Sequence, residues 1–274
     1  MRRMIIIIVV VVAIVAAGVF VLNQVAKSHL YKPNQDTVAY DIVNADSRME
    51  QVRVDGKYDG WFVHMVDGRA PLVIFFYGNA QCAAGTVRAL NDTGYLDMLG
   101  GANLLVVDYP GYGTNTGGPS QSAIFAMARS VYDYAKGRPD VDPAKIIAEG
   151  YSLGTGVATY IASQRPVVGL MLVAPYDSGV SLYNSVVDIF HGPLKLLVLQ
   201  RFDSASYAKQ VHVRPIIVAS TADQTVNYKL SQALAPYFPK TADFHLFDGL
   251  RHVDYYRNAE VRRLLEEYAQ TSLA

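Results

Sequence analysis

The chain has 274 residues, 51% of them apolar and 18% charged, with 24 Lys+Arg balancing 24 Asp+Glu and one cysteine, Cys82. That apolar share can bury a core and excludes extended disorder. The balanced, interspersed charge gives no basic footprint for nucleic acid, and a lone cysteine forms neither an internal disulfide nor a cysteine-rich metal site.

Residues 4–22 read MIIIIVVVVAIVAAGVFVL, without a charged or polar side chain. As a helix rising 1.5 Å per residue, the run is about 28 Å long, close to the roughly 30 Å hydrocarbon core of a bilayer. A transmembrane anchor in the lipid bilayer is therefore expected at 4–22, after a short tail at 1–3. A cleaved signal peptide is the competing reading, with Ala16 and Gly18 offering a small-x-small site. Its apolar stretch ordinarily runs only about 7 to 15 residues, however, and this one continues to Leu22. Arg2 and Arg3 on the N-terminal side place the tail in the cytoplasm and the rest of the chain on the extracytoplasmic side, the periplasmic face if the source is bacterial. Residues 23–48 mix Lys, Asn, Asp and Pro without periodicity and are expected to be a tether.

Residues 49–274 are expected to form the catalytic domain. The β-type runs 49–54 and 60–66, separated by DGKYDG, predict an opening hairpin. From Pro71 onward, apolar runs at 71–77, 102–109, 144–150, 167–174, 214–220 and 242–249 alternate with helix-compatible segments. Val/Ile/Leu-rich runs of this kind suit strands buried on both faces, and the intervals leave room for crossover helices. The expected fold class is α/β, a doubly wound, mostly parallel sheet. Residues 175–213 exceed what a crossover needs and predict a helical lid insertion, including VVDIFHGPLKLLVLQ at 186–200. Its apolar residues either line an acyl channel, touch a bilayer or pack the lid onto the domain.

The chemistry-bearing motif is Gly150-Tyr151-Ser152-Leu153-Gly154, between the run 144–150 and a helical stretch. A nucleophile on a tight strand-to-helix turn needs neighbours without side-chain bulk, which Gly150 and Gly154 supply. The turn also puts Ser152 at a helix N-terminus, where the Leu153 N–H can face a developing oxyanion. The bland alternative is a glycine-rich turn whose serine only caps the helix.

With its elbow in that place, the chain resembles the α/β-hydrolase family over about residues 49 to 270. The family order is serine, acid, histidine. The resemblance makes Asp223, in STADQTV, the acid and His252, in DGLRH, the general base. Asp177, in APYDS, is a second choice for the acid. Asp254 is expected to cap the last helix. The resemblance further implies that the loop Tyr77-Gly78-Asn79-Ala80-Gln81 gives a second oxyanion donor, the N–H of Asn79 or of Ala80, although Tyr77 stands where the family often has histidine. The Asp108-Tyr109-Pro110-Gly111-Tyr112-Gly113 turn shapes the rim of the site.

The anchor, the YGNA, DYPGYG and GYSLG motifs, the RFDS segment and the lid resemble the membrane-anchored serine hydrolases, among them depalmitoylating thioesterases and lysophospholipid or monoacylglycerol lipases. The resemblance implies cleavage of a carboxylic ester or thioester through an acyl-serine, with no cofactor; amide cleavage would use the same residues. No HExxH-type metal motif is present. Cys82 reads as a small buried residue at a helix start. The rival reading is a membrane-tethered binding module that keeps the fold without turnover.

Overall fold

The computed structural model describes residues 2–99, 101–185 and 188–274, without the side chains of residues 4, 11, 15, 22, 25, 26 and 29. The predicted strands are all present, in an eight-stranded sheet ordered β1-β2-β4-β3-β5-β6-β7-β8. β1 (Met49–Val54) and β2 (Tyr58–Val63) form the opening hairpin, and β2 pairs antiparallel with β4 (Asn103–Val107). From there β3 (Ala70–Phe76), β5 (Val141–Tyr151), β6 (Gly169–Val173), β7 (Ile216–Ser220) and β8 (Asp243–Phe247) run parallel. β4, β6 and β7 are buried at every position, as continuous apolar runs covered on both faces should be. β8, at the edge, is only half buried.

The crossovers are α3 (Ala83–Asp92), α4 (Gln121–Gly137) and α5 (Leu153–Gln164); α8 (Tyr228–Leu234) precedes β8, and α9 (Ala259–Leu273) ends the chain. α4 illustrates why these segments are helical. Ser120 caps it by accepting from Ala123 N at 3.2 Å, and Ile124, Met127, Ala128, Val131 and Ala135 recur at three- and four-residue spacing as its buried face. A parallel sheet of this kind collects its loops at the carboxyl ends of its strands, which is where Ser152 emerges.

The insertion after β6 contains α6 (Gly179–Asn184), a 3-10 turn over Gly192–Leu197 and α7 (Ser204–Ala208). The stretch 188–200 is not one helix, because Gly192, at φ +50°, and Pro193 break it; Val186 and Val187 lie outside the described residues. The insertion is fastened to the core at its base, where Gly179 N donates to Arg201 O, and by buried Phe202, whose ring packs edge-on against Phe125.

The N-terminal region departs most from expectation. α1 runs without interruption from Arg2 to Leu30, and residues 37–44 form a further helix, α2, capped by Asp36 and buried through Ala39 and Val43. The tether predicted at 23–48 is therefore structured and packed. Among the described residues no helix is long and apolar enough to cross a membrane, so the transmembrane anchor expected at 4–22, and the orientation drawn from it, are not carried by the structure. The physical reason for the altered boundary is that the helix continues past Leu22 and docks. Asn23 is buried, and its side chain donates to Leu197 O at 2.9 Å while accepting from Leu199 N at 3.1 Å.

Candidate active site

Ser152 stands between β5 and α5 at φ 53°, ψ −120°. This left-handed region costs a side-chain-bearing residue roughly 1–3 kcal/mol and persists only where the surroundings enforce it. The enforcement is visible. Ser152 N donates to Val173 O at 2.9 Å, and Thr155 returns its amide (3.0 Å) and its hydroxyl (2.6 Å) to Ser152 O. The two flanking glycines leave no alternative: a Cβ on Gly150 would stand 2.6 Å from Gly154 O, and one on Gly154 would overlap the Phe76 carbonyl.

Two turns bring the partners. Asp223 follows β7, and His252 opens the 3-10 turn His252–Arg257 after β8. The His252 Nε2 to Ser152 Oγ distance is 3.0 Å and the His252 Nδ1 to Asp223 Oδ2 distance is 2.7 Å. With Nδ1–H donated to the carboxylate, Nε2 is left as the acceptor for the serine hydroxyl. Burial pushes the Asp223 carboxyl up, but the hydrogen bond and charge of His252, with the amides of Val226 and Thr225 at 2.9 and 2.8 Å, outweigh it and hold the group below the usual carboxylate range. Asp223 is thus an ionised, fully occupied acceptor.

Two tyrosines that sequence reasoning did not select complete this arrangement. Tyr255 donates to Asp223 Oδ2 at 3.0 Å. Tyr151 stacks its ring on the imidazole, with centroids 5.0 Å apart, and donates its hydroxyl to His252 O at 2.7 Å. Tyr151 occupies the variable position of the elbow motif, and Tyr255 lies three residues past the histidine, on the same 3-10 turn. The short spacing was the only available signal.

On the opposite rim, the loop after β3 holds Asn79. Its Oδ1 accepts from Tyr112 OH and Ala80 N, each at 2.9 Å, and Ala80 sits at φ +59°. Gly78 N is taken by Gln81 Oε1 at 2.8 Å and Ala80 N by the Asn79 side chain, which leaves the Asn79 amide as this loop's candidate donor, beside the first amides of α5, Leu153 among them. Tyr77 replaces the family's histidine with a complete set of bonds. Its hydroxyl donates to Asp108 Oδ1 at 3.0 Å and accepts from Tyr109 N at 2.9 Å, and its carbonyl accepts from Tyr109 OH at 2.8 Å. Burial raises the Asp108 carboxyl to about 6, against the lowering effect of Ala83 N and Tyr77 OH.

The other candidates lie elsewhere. Asp177 accepts from Ser181 OH at 2.8 Å at the base of α6, so His252 is paired with Asp223 and not with the second choice. Asp254 bonds Arg251 within the 3-10 turn; α9 is capped by Asn258, which corrects the expected role of Asp254. Cys82 is buried at the N-cap of α3. Glu50, His64 and Asp140 converge closely enough to suggest a cation site, but the Arg138 guanidinium already occupies it, 2.7 Å from each carboxylate.

A cavity of about 660 Å³ opens beside His252 and Tyr151 toward α3, and one of about 650 Å³ lies under the insertion, lined by Asp177, Ser181, His191, Lys195 and Arg201 among others. The insertion's apolar residues Ile189, Leu194, Leu196 and Leu199 are exposed, between 49% and 66%, so of the roles open to them the inward acyl-channel lining is the one the structure does not favour.

A family model described as alpha/beta hydrolase fold matches residues 71–210. Among curated proteins, the chain is 32% identical over 250 residues to an uncharacterized protein of Mycobacterium tuberculosis, a match covering 88% of this chain and 85% of that one. It is 25% identical over 245 residues to the lysophosphatidylserine lipase ABHD12 of Gallus gallus, covering 78% of this chain and 62% of the lipase's length. Among solved structures, the Pyrococcus furiosus esterase Pf2001 superposes with a TM-score of 0.68 at 14% identity, covering 89% of this chain and 99% of that one. An acetyl xylan esterase from Paenibacillus sp. R4 gives 0.62 at 17% identity, covering 89% and 98%. Identities this low establish a common fold.

Proposed function

Because the chain belongs to the alpha/beta hydrolase fold family, we propose that it is a serine hydrolase cleaving a carboxylic ester or thioester through an acyl-Ser152 intermediate. One observation carries the reading: Asp223, His252 and Ser152 form a continuous hydrogen-bonded chain ending on a strained serine at a strand-to-helix elbow. In this mechanism His252 Nε2 takes the Ser152 proton as Oγ attacks the acyl carbon, and Asp223 stabilises the imidazolium. The N–H groups of Leu153 and of Asn79 receive the oxyanion, the Ala80 N–H being already given to the Asn79 side chain. Collapse of the intermediate expels the alcohol or thiol, which takes its proton from His252. Water then attacks the acyl carbon as His252 takes its proton, and collapse of the second intermediate releases the acid while His252 returns the proton to Ser152 Oγ.

Lysophospholipid-type substrates are one of the classes that the resemblance implies and the one in the name of the chicken relative, and a reaction on them would run at a lipid surface. Support comes from the aliphatic side chains exposed along α1, among them Ile5, Ile7, Val9, Val12 and Ile14, and from the exposed leucines of the insertion. We assign α1 to membrane attachment on that basis.

Labelling with a fluorophosphonate probe tests the enzyme. A Ser152-dependent adduct, lost in Ser152→Ala, is expected; a folded parent that takes no label would make the chain a binding module.

A further inference from the structure

We infer that residues 31–34, the segment joining α1 to the domain, are a positioning strap for the active site, with Asn34 holding Ala80 in its left-handed conformation. The inference rests on the proposed role of the Asn79 amide as an oxyanion donor, in the turn that Ala80 closes, and adds residues that lie outside the matched family region.

The oxyanion loop contains a strained residue, Ala80 at φ +59°, which a side chain adopts only under constraint. Part of the constraint is local, since Ala80 N bonds the side chain of Asn79. The rest comes from the N-terminal segment. Lys32 N donates to Asn79 Oδ1 at 2.8 Å and to Tyr112 OH at 3.1 Å. Asn34 Nδ2 donates to Ala80 O at 3.2 Å, while Asn34 O accepts from Gly113 N at 3.0 Å. The segment therefore lies as a bracket between the oxyanion loop and the Asp108–Gly113 loop. It precedes β1, so nothing in the sheet requires it.

The same segment reaches the other wall. Tyr31 is buried and donates to Gln200 Oε1 at 2.9 Å, and Asn23, two turns earlier in α1, exchanges bonds with the Leu197–Leu199 backbone. A chain whose N-terminal helix lies against lipid thus has that helix tied both to its insertion and to its oxyanion loop, over a stretch of a dozen or so residues.

If Asn34 acts by holding Ala80, its loss should lower kcat with little change in KM, and glycine at position 80, which takes positive φ without steric cost, should compensate. The experiment uses the full chain in detergent micelles. Turnover of a short p-nitrophenyl ester and amide hydrogen exchange over residues 78–82 are measured in the parent, N34A, N34D, A80G and N34A/A80G. Since complete removal of an oxyanion donor costs about 10² to 10³ in turnover, misplacement in N34A should cost about tenfold. N34D keeps the shape but lacks the NH₂ donor and should match N34A. Exchange over 78–82 should quicken in both, and N34A/A80G should recover most of the kcat.

Parent-like kcat and exchange in N34A and N34D would overturn the strap, as would a loss that glycine at position 80 leaves uncorrected. A parent with no Ser152-dependent turnover would instead refute the hydrolase reading. Exchange alone then decides the strap: quickened exchange over 78–82 in both Asn34 variants sustains it, and unchanged exchange overturns it.

Discussion

Tyr151 holds His252 from two directions at once, with its ring stacked on the imidazole 5.0 Å away and its hydroxyl donated to the His252 carbonyl at 2.7 Å. The residue immediately before the proposed nucleophile thereby braces the turn that carries the proposed base, so the elbow and the histidine loop are tied directly to each other. Burial raises the Tyr151 hydroxyl above its ordinary range, which keeps it a donor. Tyr151→Phe removes the hydroxyl and keeps the stack. A single hydrogen bond contributes about 0.5–1.5 kcal/mol, so a drop in kcat of about two- to tenfold with KM unchanged is expected. Tyr151→Leu, which removes the stack as well, should lose more. Equal activities for parent and Tyr151→Phe would show that the hydroxyl does not position the histidine.

The elbow makes a sharper demand. A Cβ at position 154 would overlap the Phe76 carbonyl, and backbone cannot yield as a flexible side chain does. Gly154→Ala should therefore abolish Ser152 labelling and lower the melting temperature. Gly118→Ala, where a new Cβ meets nothing within 4 Å, should behave as the parent in both measurements. A labelled, stable Gly154→Ala protein would mean that α5 can slide away from β3 without cost.

These two sites mark what was legible in sequence. The elbow could be read because its requirement is local: small residues at fixed offsets, between an apolar run and a helix. Asp223 and His252 could be placed only through the family resemblance, since nothing within the sequence itself brings residues 29 positions apart into contact. Tyr151 and Tyr255 stayed hidden because a tyrosine that orients a side chain looks the same in sequence as one that fills a core. The N-terminal region misled for a related reason. Residues 23–36 lack periodicity because their contacts are made one residue at a time, such as Asn23 to Leu199 N and Asn34 to Ala80 O, each bonded across the fold, and the short α2 shows only Ala39 and Val43 as a buried pair. The apolar run itself was plain, but its boundary was set by docking, which hydropathy does not record.

Glu149, beside Gly150 on β5, is fully buried and gives a pH prediction. Its burial raises the carboxyl to about 8, against the lowering effect of hydrogen bonds from Tyr256 at 2.8 Å and from Tyr95 at 2.9 and 2.8 Å. Between the ordinary 4.5 and about 8, the folded protein keeps a proton that the unfolded chain has released. Stability due to this group is therefore present at low pH and declines as pH rises through that window, by at most about 1.4 kcal/mol per unit. Glu149→Gln has no proton to lose. Urea midpoints at pH 5 and pH 8 should differ less for Glu149→Gln than for the parent, with the variant gaining most at pH 8. Parallel pH dependence in the two proteins would place the decline on other groups.

The insertion's leucines separate packing from lipid contact. Leu194, Leu196 and Leu199 are 49%, 66% and 58% exposed, on the segment that Asn23 ties to α1. Complete burial of one such side chain contributes about 1.5–3 kcal/mol, so partial insertion of three into an acyl layer should strengthen engagement of a membrane substrate substantially. The triple change to serine removes that term and, because the side chains already face outward, leaves the core intact. KM for a long-chain ester presented in vesicles should rise about tenfold or more, while turnover of a soluble short-chain ester stays within about twofold of the parent. If instead both activities fall together with the melting temperature, the leucines pack the insertion onto the domain and the lipid-facing role is wrong.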